Sequence, residues 1–204
     1  MYKEIILDYD DLSPYINKET LNTHLAIYRS NLTRLNNLLN RTNYDYSYNM
    51  IDLVKKIDIF SLNIRGEILY YLSSILNHNL YFYNISNKSI TEPIETIKKD
   101  IDKYFDSYSN FKQQFIDNAR NLKGGGYTFL ARDEKGTLKI INTSNEDSPY
   151  YYGMEPIISL DLWEHAYFLQ YKNNKDAYIN NFFKVIDFNK INKYYEDIIN
   201  NVVE

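Results

Sequence analysis

The chain contains no cysteine, and that absence removes several kinds of chemistry: disulfide frames, thiolate metal sites and cysteine nucleophiles. Any metal ion it holds must be bound through nitrogen and oxygen. It also lacks a basic excess. With a net charge of −4 and a pI near 5.5, and with Lys and Arg interspersed among acids, no basic stripe is available to neutralise phosphates, so no nucleic-acid partner is expected. No uncharged apolar run is long enough to cross a bilayer, and the apolar start Ile5-Ile6-Leu7 is soon broken by Asp8 and Asp10. A cytoplasmic protein with no membrane partner is the expectation. No internal repeat or low-complexity segment is evident. Histidine is scarce: His24, His78 and His165 are all there is.

What the chain does have is aromatic apolar mass, 22 Tyr and 10 Phe against a single Trp, with 44% hydrophobic residues overall. Tyrosine buries a ring while leaving one polar atom to be satisfied, which suits core edges and interfaces. A codon bias toward Asn, Ile, Lys and Tyr accounts for most of the tyrosines. The length, 204 residues, suits one subunit with two lobes.

Apolar positions Leu21, Leu25, Tyr28, Leu32, Leu35 and Leu39 recur at three and four and predict a helix over 16–39, with Asn17 as its N-cap. A second helix is predicted over 64–79, packed antiparallel to the first so that His24 and His78 face each other. The turn-rich segment 84–93 reads as a junction. Helices are expected over 92–108 and 109–122, strands over 127–132, 137–142 and 156–160, and closing helices over 176–187 and 189–203. This order indicates an α+β fold: an N-terminal antiparallel helical-hairpin lobe (1–88) and a C-terminal lobe (89–204) with a three-stranded antiparallel sheet flanked by helices.

The sharpest local pattern is Asp161-Leu162-Trp163-Glu164-His165-Ala166-Tyr167. A carboxylate and an imidazole four residues apart, where a strand runs into a turn or helix, can converge on one cation. Three imidazoles and one carboxylate suit Mn or Fe and leave a position open; zinc would accept the same atoms but brings no redox chemistry. Around this pattern the residues are aromatic or apolar, with no evident hydrolytic base, which favours a very small substrate.

Segment 161–171, DLWEHAYFLQY, resembles the signature of the iron/manganese superoxide dismutases. The segment around Leu12-Ser13-Pro14-Tyr15 and His24 resembles that family's opening, Asn77-His78 with Leu80-Tyr81-Phe82 its second histidine, 124–130 its Gly-Ser-Gly-Trp-x-Trp-Leu strand, and 145–149 its Asn-Gln-Asp-x-Pro turn. The resemblance covers the whole chain. It implies one Mn or Fe ion per chain, bound by His24, His78, Asp161 and His165, and disproportionation of superoxide to oxygen and hydrogen peroxide by alternation between M(III) and M(II). It also implies a homodimer, in which Glu164 bonds the ligand histidine of the opposite subunit, and a pocket walled by Tyr127 and Trp163.

Several positions depart from the family pattern. Leu32 stands where a gating tyrosine is usual, Tyr28 replaces the funnel histidine, and Phe168 replaces the tyrosine that reaches toward it. Asn174 occupies the place of a guiding basic residue, with Lys175 and Arg29 as substitutes. Glu146 replaces the glutamine that contacts the metal-bound solvent, and the alternative donor position is Ser74. For Glu146 three outcomes are open: protonation with a raised pKa, ligation of the metal, or a turn away from it. The alternative to an enzyme is a metal-binding or structural homologue that has lost its proton-handling residues; a peroxidase-like side activity is a third reading.

Overall fold

The computed structural model describes residues 1–200. Asn17 caps helix α1 (Lys18–Arg41) by accepting the Thr20 N–H on its side chain, as the local sequence predicts. The next long helix, α3 (Leu62–Asn84), begins earlier and ends later than expected. Its partners on α1 show the direction of packing: Asn31 reaches Ser74, Arg34 reaches Tyr71, and His24 meets His78 edge-on. The residue numbers rise on one helix as they fall on the other, so the hairpin is antiparallel. Between them lies a short helix, α2 (Met50–Lys55), which the sequence reading does not include. Six residues are too few for a recognisable period, and α2 forms by laying Leu53 and Val54, both buried, onto the hairpin.

The chain then crosses 85–94 into α4 (Glu95–Phe105) and α5 (Tyr108–Asn121). The break falls earlier than anticipated because Asp106 takes a positive φ of 66° and Ser107 accepts the Asn110 N–H, opening a new helix. Strands β1 (Gly126–Arg132), β2 (Leu138–Ser144) and β3 (Glu155–Asp161) form an antiparallel sheet in the order β2-β1-β3. Strands β1 and β3 are buried on both faces, whereas the edge strand β2 is partly exposed. Register pairs Tyr127 with Asp161 and Gly126 with Ser144, which brings the end of β3 beside the 145–147 turn. Helices α6 (Glu164–Tyr171), α7 (Lys175–Phe182) and α8 (Phe188–Ile199) close the fold. Two residues, Leu162 and Trp163, separate α6 from the strand it follows. The expected end of the last helix, at Val203, lies outside the described residues. One hydrophobic cluster runs from Tyr9 to Ile198 through both halves, with Phe111, Phe115 and Ile158 fully buried. Among the described residues no helix is long and apolar enough to cross a membrane.

Candidate metal centre

Four elements meet at one point. Helix α1 brings His24, α3 brings His78, the last residue of β3 is Asp161, and the first turn of α6 carries His165. Their donor atoms all lie within 4.8 Å of one another. The three imidazole Nε2 atoms converge on a single oxygen, Asp161 Oδ2, at 3.0 Å (His24), 3.3 Å (His165) and 3.6 Å (His78). The other oxygen, Oδ1, accepts the Trp163 backbone N–H at 2.8 Å, a two-residue side-chain turn that aims the carboxylate and starts α6. Behind it the Tyr178 hydroxyl donates to the Asp161 carbonyl at 2.9 Å.

His78 Nδ1 lies 2.7 Å from the Ser74 carbonyl, so that nitrogen must carry the hydrogen and Nε2 presents a lone pair. Nε2 of His78 and Nε2 of His165 are buried without a hydrogen-bond partner. Two orphaned nitrogens aimed at a carboxylate cost free energy unless something positive sits between them. The donor set therefore fits one Mn or Fe ion.

Charge distribution follows burial. His24 and His78 are held below the ordinary imidazole value, chiefly by desolvation, His78 down to about 3. Burial by itself would raise Asp161, but the charge on His165, 3.3 Å away, and the contact with His24 outweigh it and hold the carboxyl well below its ordinary value. For His165 desolvation is outweighed by the Asp161 charge, so its value lies above the ordinary one. His165 is also the ligand solvent reaches, with a side chain 18% exposed, at the edge of a cavity of about 470 Å³ lined by Gly125, Trp163, Glu164, Tyr167 and Lys175.

The C-terminal-domain model of the iron/manganese superoxide dismutases matches residues 93–194. The chain is 32% identical over 180 residues to an iron superoxide dismutase of Legionella pneumophila, spanning 88% of this chain and 90% of that protein. It is 31% identical over 189 residues to a manganese superoxide dismutase of Listeria monocytogenes, spanning 92% and 93%. The chain belongs to the iron/manganese superoxide dismutases.

Against that family's pattern, the substituted positions have definite places. Glu146 is 3% exposed and turned inward, and its Oε2 accepts the Tyr127 hydroxyl at 2.9 Å. Burial first, then the Asp161 charge, pushes its carboxyl up to about 7, while Tyr127 stays a phenol well above its ordinary value, again mainly through burial. Glu146 is not among the four converging donors. Of the three outcomes open to it, the inward orientation rules out the turn away from the site. The Tyr28 ring is fully buried and lies 6.0 Å from His78, but its hydroxyl is taken by the Ile5 N–H. Leu32 is part of the hydrophobic cluster. Trp163 stacks on His165, with centroids 6.1 Å apart and planes 13° apart. Glu164 is exposed. Of the two cationic substitutes, Lys175 lines the cavity beside His165, whereas Arg29 is paired with Glu4 at the surface; Asn174 caps α7.

Two supports escape the sequence reading. Asn77 donates to the Glu146 carbonyl at 3.1 Å and the Asp147 carbonyl at 3.3 Å, fastening the turn to α3, and Tyr178 anchors Asp161. The signal for Asn77 was its place next to His78; nothing local marks Tyr178 among so many tyrosines.

Proposed function

We propose that this protein is a metal-dependent superoxide dismutase, converting superoxide to oxygen and hydrogen peroxide with one Mn or Fe ion per chain bound by His24, His78, Asp161 and His165. The observation that carries this reading is the convergence of three imidazole nitrogens on one carboxylate oxygen, two of them unpartnered. When bound, the ion supplies one-electron exchange with the substrate, alternating between M(III) and M(II). Asp161, held anionic, favours the more highly charged state. Tyr127 and Glu146 form the proton store: Oε2 receives the Tyr127 hydrogen, which leaves Oε1 of a carboxyl raised to about 7 to take up and release a proton. Trp163 and the Tyr28 ring keep bulk water off the imidazoles, Leu32 closes the apolar side, and Lys175 attracts an anion to the cavity beside His165.

The assembly is a cytoplasmic homodimer on this reading. Support comes from exposed Phe168 (47%) and Leu169 (39%) on α6, next to Glu164, which is free to bond a histidine of a second copy. The division into lobes at 1–88 and 89–204 is part of the same proposal, supported by the family match that begins at residue 93.

The test is metal analysis and a superoxide assay on protein loaded with Mn or with Fe, alongside His165→Ala. The expected result is about one ion per chain and activity that His165→Ala abolishes. Bound metal with activity no greater than that variant would leave the metal-binding homologue as the correct reading.

A further inference from the structure

Residues 1–7 form neither helix nor strand, yet their backbone polar groups still need partners. Side chains of α1 supply them. Asn36 meets Tyr2 twice: its Oδ1 accepts the Tyr2 N–H at 3.0 Å and its Nδ2 donates to the Tyr2 carbonyl at 2.9 Å. Three residues on, the Tyr28 hydroxyl accepts the Ile5 N–H at 3.0 Å. The partner numbers fall from 36 to 28 as this segment runs from 2 to 5, so it lies as a strap antiparallel to α1. Beyond it, Tyr9 donates its hydroxyl to the Phe82 carbonyl of α3 at 2.8 Å.

His24, Tyr28, Leu32 and Asn36 follow one another at intervals of four and lie along one slowly turning stripe of α1. Along that stripe the hold of the strap reaches the metal centre. The Tyr28 ring, fully buried, lies 6.0 Å from the His78 ring and 5.8 Å from the Phe82 ring, and Phe82 lies 4.8 Å from His24. Tyr28 is fixed at its Cβ by the helix and at its hydroxyl by Ile5.

We infer that Asn36 and Tyr28 are positioning residues: Asn36 clamps the N-terminal strap, the strap holds the Tyr28 hydroxyl, and the Tyr28 ring sets the place of the His78 imidazole. That His78 binds a metal rests on the function proposed above; the hold of the strap on the ring does not.

Mn affinity of Asn36→Ala, Tyr28→Phe and the double variant tests this. Each single change should weaken Mn binding about tenfold, the low end for residues that orient a ligand from outside. Because both act through the Ile5–Tyr28 bond, the double variant should bind as Tyr28→Phe does, whereas losses at unconnected sites would multiply to roughly a hundredfold. Urea stability provides the contrast: Asn36→Ala leaves Tyr2 without its side-chain partner in either background, so its stability loss should be alike with and without the Tyr28 hydroxyl. In metal-free protein Asn36→Ala should also move the His78 ring-proton resonances, because the neighbouring ring is released. Unchanged Mn affinity in either single variant overturns the inference, as do losses that multiply. If Asn36→Ala does not fold, the Mn affinity of Tyr28→Phe decides by itself. Should the parent bind no Mn at all, the proposed function fails, and His78 resonances unmoved in Asn36→Ala overturn the inference separately.

Discussion

Replacing Glu146 by Gln should make the metal-free protein more stable, and only above mildly acidic pH. The carboxyl is buried beside anionic Asp161 and is raised from 4.5 to about 7. A group raised in the folded state binds more protons there than in the unfolded chain. Stability therefore falls as pH climbs from about 4.5 to about 7 and stays reduced above. The full shift corresponds to about 3 kcal/mol, the cost of holding that charge out of water. Glutamine keeps the shape and can still accept the Tyr127 hydrogen, but has no charge to bury. Relative to the parent, Glu146→Gln should gain about 3 kcal/mol between pH 4.5 and pH 8, or roughly 6–12 °C in melting temperature for a chain of this size. Urea titrations of both metal-free proteins across that range measure the difference; a metal ion would lower the Glu146 value by its own charge and must be removed. Parallel pH dependences for the two proteins would show that Glu146 is already ionised without cost, and the proton store assigned to it would not exist.

Asp161→Asn should release His165: with the carboxylate gone, desolvation is opposed only by the smaller influence of the Glu146 charge, and the imidazole pKa in metal-free protein should drop, as seen by proton NMR titration. A value unmoved by that substitution would contradict the pairing. Asn77→Ala should leave the Glu146 and Asp147 carbonyls without their donor, lowering stability by about 1–3 kcal/mol. It should also lower metal occupancy, because the 145–147 turn is no longer fastened to α3. Calorimetry and metal analysis on the same sample check both, and intact occupancy would confine Asn77 to a structural part.

Legibility differed from one element to another. The 3.6-residue apolar spacing of α1 and its Asn17 cap are local properties, and the helix formed where they point; α3 ran to Asn84 because its lower half is buried against β3, a contact that outweighs the turn signals near residue 84. In α4 and α5 the periodicity was correct but the boundary was decided by one left-handed residue, Asp106, whose torsion no spacing reveals. Helix α2 was invisible because its stability comes from docking rather than from its own few residues. Within the site, Asp161 and His165 sit on one strand-to-helix junction, so their convergence follows from spacing alone; His24 and His78 lie far away in sequence and could be joined to them only through a family resemblance.

Residue types by themselves decided the nitrogen-and-oxygen donor chemistry, the helix periods and the order of helices before strands, because each is set by atoms or by neighbours a few positions apart. Tertiary packing alone decided that Glu146 turns inward to Tyr127 and that Arg29 is spent on Glu4 while Lys175 faces the cavity. Those outcomes depend on desolvation and on contacts between segments distant in sequence, and neither quantity exists until the chain has folded.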